Sequence, residues 1–313
     1  MDFNEKTMQK TTLVVGLAIL ANLLWGSAAT AIKTGYALFQ VSSDDMLSQL
    51  YFAGIRFLLA GILTIIIGSF INGRPLLPTK SSLPKICVLA LFQTVIQYIF
   101  YYMGCAHASG TNVAIATSTG AFFSILISSL LFRQERLNAR KLLGCAMGFV
   151  GVVLINLSTD GGLSLNTSLA GEGAIILSSC AFGFSNAFTK SYSRTENPVM
   201  LCGYQFILGG GLMLVGSRLC GGALASAGVG GGLLIVYLAM VSAVAFSITS
   251  VLMKYNPVSK VSVFGFFNPI FGVSLSILIL RESGREFGLR GLAALALVCA
   301  GVFIVNYGKP AKE

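Results

Sequence analysis

Residues 85–104, KICVLALFQTVIQYIFYYMG, are apolar over a length that would cross a bilayer, for which about 20 residues suffice, yet Gln93, Gln97 and Tyr101 stand among them. A spacing of four puts these three on one face of a helix, with Ala90, Thr94 and Gly104 beside them. Two primary amides facing hydrocarbon would leave donors and acceptors unsatisfied, so this face is expected to meet other helices or a water-accessible cavity. Bonding to a neighbouring helix alone would make it a packing feature. Tyr101 on the stripe, with Tyr98, Phe100 and Tyr102 around it, favours a wall that contacts a solute.

The rest of the chain is built alike. Hydrophobic residues are 55% and charged residues 10%, and the mean hydropathy is +0.82, which a water-soluble domain of 313 residues would have to expose as large apolar patches. The composition predicts an all-α membrane protein with ten transmembrane helices: Leu13–Ile32, Leu47–Ile71, Leu83–Met103, Ala108–Phe132, Leu142–Leu157, Leu169–Thr189, Val199–Cys220, Gly232–Met253, Val258–Leu280 and Leu289–Tyr307. Lys6 and Lys10 precede the first, and Ser27-Ala28-Ala29 are small, as in a secretory signal. A stretch of span length followed by nine more reads instead as an uncleaved anchor.

The net charge of +10 is an orientation signal rather than a nucleic-acid surface. With the amino terminus inside, fifteen of the 21 Lys and Arg fall in inner segments: Lys6, Lys10, Arg74, Lys80, Lys85, Arg133, Arg136, Arg140, Lys141, Lys190, Arg194, Lys254, Lys260, Lys309 and Lys312. Five (Lys33, Arg218, Arg281, Arg285, Arg290) fall in outer segments, and Arg56 lies within a span. The bias predicts that both termini are cytoplasmic, in a multi-pass protein of the cytoplasmic (inner) cell membrane.

An internal duplication runs through the chain. Trp25-Gly26 precedes Lys33 as Phe182-Gly183 precedes Lys190, 157 residues on. Gly54-Ile55-Arg56-Phe57-Leu58-Leu59-Ala60-Gly61 faces Gly203-Tyr204-Gln205-Phe206-Ile207-Leu208-Gly209-Gly210, displaced by 149. Gly151–Asn156 and Gly301–Asn306 end the fifth and tenth spans, displaced by 150. Two five-helix repeats are therefore expected, residues 1–157 and 158–313. Five is odd, so equivalent helices run in opposite directions. Inverted repeats of this kind place a solute site near the bilayer midplane between the halves.

The chain resembles the EamA-type branch of the drug/metabolite transporter superfamily across nearly its whole length. The resemblance rests on Trp25-Gly26 with Lys33, Arg56-Phe57, Gln134-Glu135 at the end of the fourth span, the Gly151-Val152 close of the fifth, and Pro269 thirteen residues before Glu282. No proline stands at Phe122, thirteen before Glu135, and three extra residues separate Glu282 from Arg290. The resemblance implies a central cavity framed by the first, third, fourth, sixth, eighth and ninth spans. The stripes of these spans then offer Asn22 and Trp25, Gln93, Gln97 and Tyr101, Thr119, Asn186, Ser242 and Phe246, and Asn268 as substrate-binding residues. Such a lining is polar but nearly uncharged, and suits neutral or zwitterionic solutes with an apolar part. Pro269 is expected to kink the ninth span and free carbonyls beside Asn268.

Two charged residues are candidates for coupling or charge recognition. Arg56 lies about 14 Å into its span at 1.5 Å per residue, where an intramembrane ion is a functional candidate, and structural ties to carbonyls or a loop carboxylate compete for it. Glu172 opens the sixth span, where a carboxylate suits a helix amino terminus. Glu135 and Glu282 close spans beside arginines, as ion pairs or gates. Seven cysteines without C-x-x-C spacing read as small core residues; Cys105 and Cys220 both fall near the outer face, where they could pair.

An intramembrane enzyme would need an aspartate dyad, a metal cluster or an activated nucleophile. The aspartates Asp2, Asp44, Asp45 and Asp160 lie outside the spans, and His107 is the sole histidine. A channel would need a filter, which is not recognisable here. Asn156 and Asn166 match the short glycosylation pattern. The expectation is a secondary transporter, without cofactor or metal, that exports small organic metabolites such as amino acids, aromatic or apolar ones foremost. Nucleotide sugars, sugar phosphates and lipophilic drugs are the alternative solutes, the phosphorylated ones wanting more basic side chains than Arg56. Small-molecule substrate and membrane lipid are the expected partners. A monomer suffices where both halves are present, with a homodimer as the alternative.

Overall fold

The computed structural model describes residues 5–42, 44–108, 110–156, 169–280 and 289–307, and among the described residues every regular element is a helix. A single turn at Glu5–Met8 precedes α1 (Thr11–Leu38), α2 (Met46–Asn72), α3 (Leu83–Leu89), α4 (Gln97–His107), α5 (Gly110–Leu126), α6 (Ala139–Asn156), α7 (Ala174–Tyr192), α8 (Pro198–Leu219), α9 (Gly228–Tyr255), α10 (Val258–Ser262), α11 (Phe267–Leu280) and α12 (Leu289–Tyr307). Five described helices are long and apolar enough to cross a membrane: α1, α2, the rod Leu83–Cys105, α8 and α9. Ala116–Leu131 and Leu292–Asn306 are shorter apolar helices. Asp2, Asp160, Asn166, Arg281, Glu282, Arg285, Lys309 and Lys312 lie outside the described residues, as does the expected boundary between the halves.

Local chemistry explains the helix ends. Asp45 caps α2 by accepting the Ser48 amide at 3.0 Å, and Gly73, at φ 66°, closes it in the left-handed conformation. Asn197 accepts the Val199 and Met200 amides ahead of α8, where Pro198 takes the first helical position. Wider π turns interrupt the helices at Ala90–Ile96, Ile127–Leu131 and Leu169–Gly173, and a 3-10 turn at Val263–Phe266 separates α10 from α11. Pro269 therefore sits in the first turn of α11, directly after the 3-10 turn. The break in the ninth segment lies upstream of the proline, not at it.

The most extensive helix contact is α2 on α8, followed by α6 on α12. Glycine makes the first possible: a Cβ on Gly54 would stand 2.6 Å from the Leu214 amide nitrogen, and one on Gly210 would stand 2.5 Å from that of Leu58. Gly61 and Gly203 close the same crossing, Gly61 against the Gly203 carbonyl and Gly203 against Ile65. Small residues let membrane helices approach to backbone contact in this way. Between α6 and α12, Gly151 meets the Ala294 carbonyl and Gly301 that of Gly144. Helix α1 packs on α9 and α11, and α7 packs on α4 and α5.

Candidate functional site

The Lys85–Gly104 stretch is not one regular helix. In the π turn Ala90–Ile96 the bonds run i to i+5, so four residues no longer complete a turn and the expected Gln93–Gln97–Tyr101 stripe is skewed. Gln93 is buried and Gln97 half-buried. Thr94 makes the link between helices, its Oγ1 donating to Gln205 Oε1 of α8 at 2.7 Å. Tyr98 and Tyr102, four and eight residues further on, belong with Tyr101 to the apolar cluster that holds Phe57, Phe206 and Phe246.

Arg56 borders this cluster. It is 3% exposed, its guanidinium carbon lies 4.3 Å from the Phe57 ring centre and 5.8 Å from that of Tyr98, and among the described residues no carboxylate pairs with it. Ring contacts run on from there. Phe57 tilts against Tyr98 at 4.5 Å and stacks on Phe206 at 5.1 Å; Phe206 meets Phe246 edge-on at 5.0 Å, and Phe246 meets Trp25 at 5.0 Å. Phe182 touches Trp25 at 6.4 Å, and Tyr101 touches Tyr98 and Tyr102. The indole Nε1 of Trp25, the Arg56 Nε, the Gln205 Nε2 and the Gln97 Oε1 are all buried without a hydrogen-bond partner. The Tyr36 and Tyr102 hydroxyls are also buried without a hydrogen-bond partner, so several polar groups are left open along a mostly apolar path. Stranding such groups costs free energy unless a polar ligand or water takes them up.

Of the expected site residues, Trp25, Gln97, Tyr101, Phe246 and Arg56 belong to this arrangement. Others serve their own helices: Asn22 donates to the Ala18 carbonyl, Thr119 to Ala116 and Ser242 to Leu238. Asn186 donates to Ser124 Oγ at 2.9 Å and joins α7 to α5. Asn268 is half-buried in the first turn of α11, and Glu172 is half-buried within the π turn Leu169–Gly173. Phe57, Gln205 and Phe206 were not expected as site residues, whereas Tyr98 and Tyr102 were expected around the Tyr101 stripe. The duplication held the signal for the first three, since Arg56-Phe57 aligns with Gln205-Phe206 and the two phenylalanines prove to stack. All seven cysteines are free, Cys105 and Cys220 included.

A second polar cluster ties one end of the bundle. The Glu135 carboxylate accepts from Ser128 Oγ at 3.0 Å, from the Ser259 amide at 2.9 Å and Oγ at 2.6 Å, and from Lys141 Nζ at 2.9 Å. It thereby clips the end of the α5 segment to α10. Beside it Gln134 donates to the Ala187 carbonyl and Ser191 Oγ of α7, and Lys190 donates to the carbonyls of Lys254 and Asn256. At the same end Lys85 pairs with Glu196 at 2.7 Å, and this ammonium, helped by Ser82, holds the Glu196 carboxyl below its usual range. Among the described residues no group of three or more His, Cys, Asp and Glu side chains gathers as a metal site.

Comparison with known proteins gives one consistent result. The model of the EamA-like transporter family matches residues 12–157 and again 169–307. A transporter of Archaeoglobus fulgidus is 26% identical over 95% of this chain and 98% of its own length. A Salmonella typhimurium protein named "Probable amino-acid metabolite efflux pump" is 25% identical over 93% of this chain and 94% of its own. The inner membrane transporter YedA of Escherichia coli is 25% identical over 93% and 90%. A solved crystal structure superposes with a TM-score of 0.74 at 17% identity, covering 94% of this chain and 96% of that one, a likeness of fold alone.

Proposed function

Since this chain belongs to the EamA-like transporter family, we propose that it is a secondary carrier moving small organic solutes across the cytoplasmic membrane, foremost amino acids and related zwitterions with an aromatic or apolar part. The observation that carries the reading is Arg56: a cation buried mid-helix, without a carboxylate partner among the described residues, at the edge of a path of aromatic rings. A solute carboxylate would supply the missing counter-charge. The Gln97 Oε1 suits an ammonium or amide donor, and the rings from Tyr98 to Trp25 suit an apolar side chain.

In this reading residues 1–157 and 158–313 form two inverted halves of five spans each, with both termini cytoplasmic. Support comes from paired contacts: α2 on α8 and α6 on α12 join equivalent segments, and α7 on α5 matches α1 on α11. The Glu135 clasp and the Lys190 ties would be the cytoplasmic gate in its closed arrangement, leaving the solute to pass at the other end. Outward transport is supported by the name of the Salmonella relative. One chain with both halves suffices for such a cycle.

Counterflow in proteoliposomes with labelled amino acids, first at equal pH and then with a pH gradient, tests the reading. Counterflow of an aromatic or apolar member is the expected result, and acceleration by the gradient would add proton coupling and implicate Glu172. Exchange of phosphorylated metabolites, with amino acids inert, would overturn the substrate assignment.

A further inference from the structure

A cavity of about 440 Å³ opens where α2 and α9 end and α8 begins, away from the ring path. Arg74, Arg194 and Lys254 line it, with Asn72, Tyr255 and one carboxylate, Glu196. That carboxylate is already engaged, accepting from Lys85 Nζ at 2.7 Å and from Ser82 Oγ at 2.8 Å. Among the described residues no carboxylate pairs with Arg74 or Arg194. The Lys254 ammonium lies 5.5 Å from the ring centre of Tyr255, also on the cavity wall. Helix carboxyl termini account for single cations near chain ends; they do not account for three in one cavity with no free anion. The cavity wants an anion with several oxygens, and arginine forks match a phosphate bidentately.

The position says which phosphate. Beside the cavity, Ile71 next to the lining residue Asn72 is 57% exposed and Leu77 is 71% exposed. These two apolar side chains bracket Arg74 at three residues on either side. A phosphate held by Arg74 and Arg194 would leave its acyl chains to run from these side chains into the bilayer. The basic end of the bundle also faces the leaflet that holds anionic lipids in the proposed orientation. We propose that this cavity is a binding site for the phosphodiester headgroup of an anionic phospholipid. A bound headgroup would brace the loop that carries Glu196 and the end of α9, whose carbonyls accept from Lys190.

The test compares wild type, Arg74→Gln/Arg194→Gln, and a charge-matched control, Arg133→Gln/Arg136→Gln, reconstituted in phosphatidylcholine nanodiscs with phosphatidylglycerol as minor component. Phosphatidylglycerol retained through delipidation is counted by native mass spectrometry, and melting is followed in parallel. The wild type and the control should retain phosphatidylglycerol and melt later with it, and the cavity variant should retain about tenfold less. Equal retention by the cavity variant and the control would overturn the site. Protection by glycerol 3-phosphate in lipid-free detergent, without retention of phosphatidylglycerol, would overturn the lipid assignment in favour of a soluble phosphate ester. Counterflow of amino acids is scored separately, so its failure would not bear on the lipid result.

Discussion

Replacing Glu135 by alanine should open one end of the bundle. Of the four hydrogen bonds that its carboxylate accepts, the two from Ser259, at 2.9 and 2.6 Å, cross from the α5 segment to α10. The side chain is 7% exposed and its partner Lys141 15%, so water compensates little while the clasp is shut. Hydrogen bonds to a charged group contribute about 1.5–3 kcal/mol each. Allowing for recovery of water by Ser259 once the end opens, about 3 kcal/mol of the closed arrangement is lost, a shift of about 150-fold between closed and open populations. The assay uses a cysteine-free background carrying Ser262→Cys, at a buried position whose hydroxyl has no partner. A membrane-impermeant maleimide should label it slowly with Glu135 present and at least tenfold faster with Glu135→Ala. Glu135→Gln, which keeps one acceptor oxygen for Ser259, should fall between. Labelling at the parental rate in Glu135→Ala protein that elutes as folded material would refute the gate; a lowered melting temperature with unchanged labelling would make the cluster purely structural.

Three other outcomes can be checked as directly. Arg56→Gln, which places at 56 the residue found at 205, should cut counterflow of amino acids at least tenfold, as expected when a charge-assisted contact of about 1.5–3 kcal/mol is removed; decarboxylated analogues should lose less, and equal losses would remove the carboxylate role. Gly54→Ala or Gly210→Ala forces backbone apart at the α2–α8 crossing and should destabilise by about 1–3 kcal/mol, seen as a fall in melting temperature in detergent; a neutral alanine at both would contradict the close approach. The Lys85–Glu196 pair contributes about 1 kcal/mol. Because Glu196 is held below the usual carboxylate value by the Lys85 ammonium, that stability is present above the unfolded value and lost as pH falls through the lower folded one. Glu196→Gln should therefore flatten the acid limb of a melting-temperature profile, and an unchanged limb would count against the pair.

Much of this was legible in the chain. The glycines that allow α2 and α8 to touch stand in the same eight-residue match, Gly54–Gly61 against Gly203–Gly210, that betrays the duplication, because close packing leaves a constraint on residue size that survives in sequence. Arg56 announced itself by charge in an apolar run. The π turn at Ala90–Ile96 did not, since its residues have no composition that separates them from a regular helix, and the change of register moved the interhelical contact from the glutamines to Thr94. Nor could periodicity say that Asn22, Thr119 and Ser242 would donate to carbonyls of their own helices. That choice rests on rotamers, which spacing does not encode. Pro269 was found where expected, but the 3-10 turn before it changed its role from kink to helix start.

The α2–α8 crossing also bears on how the protein is made. Its two glycine faces are separated by about 150 residues of chain, so α2 must enter the bilayer and wait while the intervening helices are synthesised before its partner emerges. At a translation rate of about 5–20 residues per second, that wait lasts roughly eight to thirty seconds. During it, lipid or a membrane insertase must occupy a surface shaped for backbone-to-backbone contact. The same arrangement makes complementation conceivable: two separately expressed fragments divided between α6 and α7 would each carry one side of the crossing and could assemble around it.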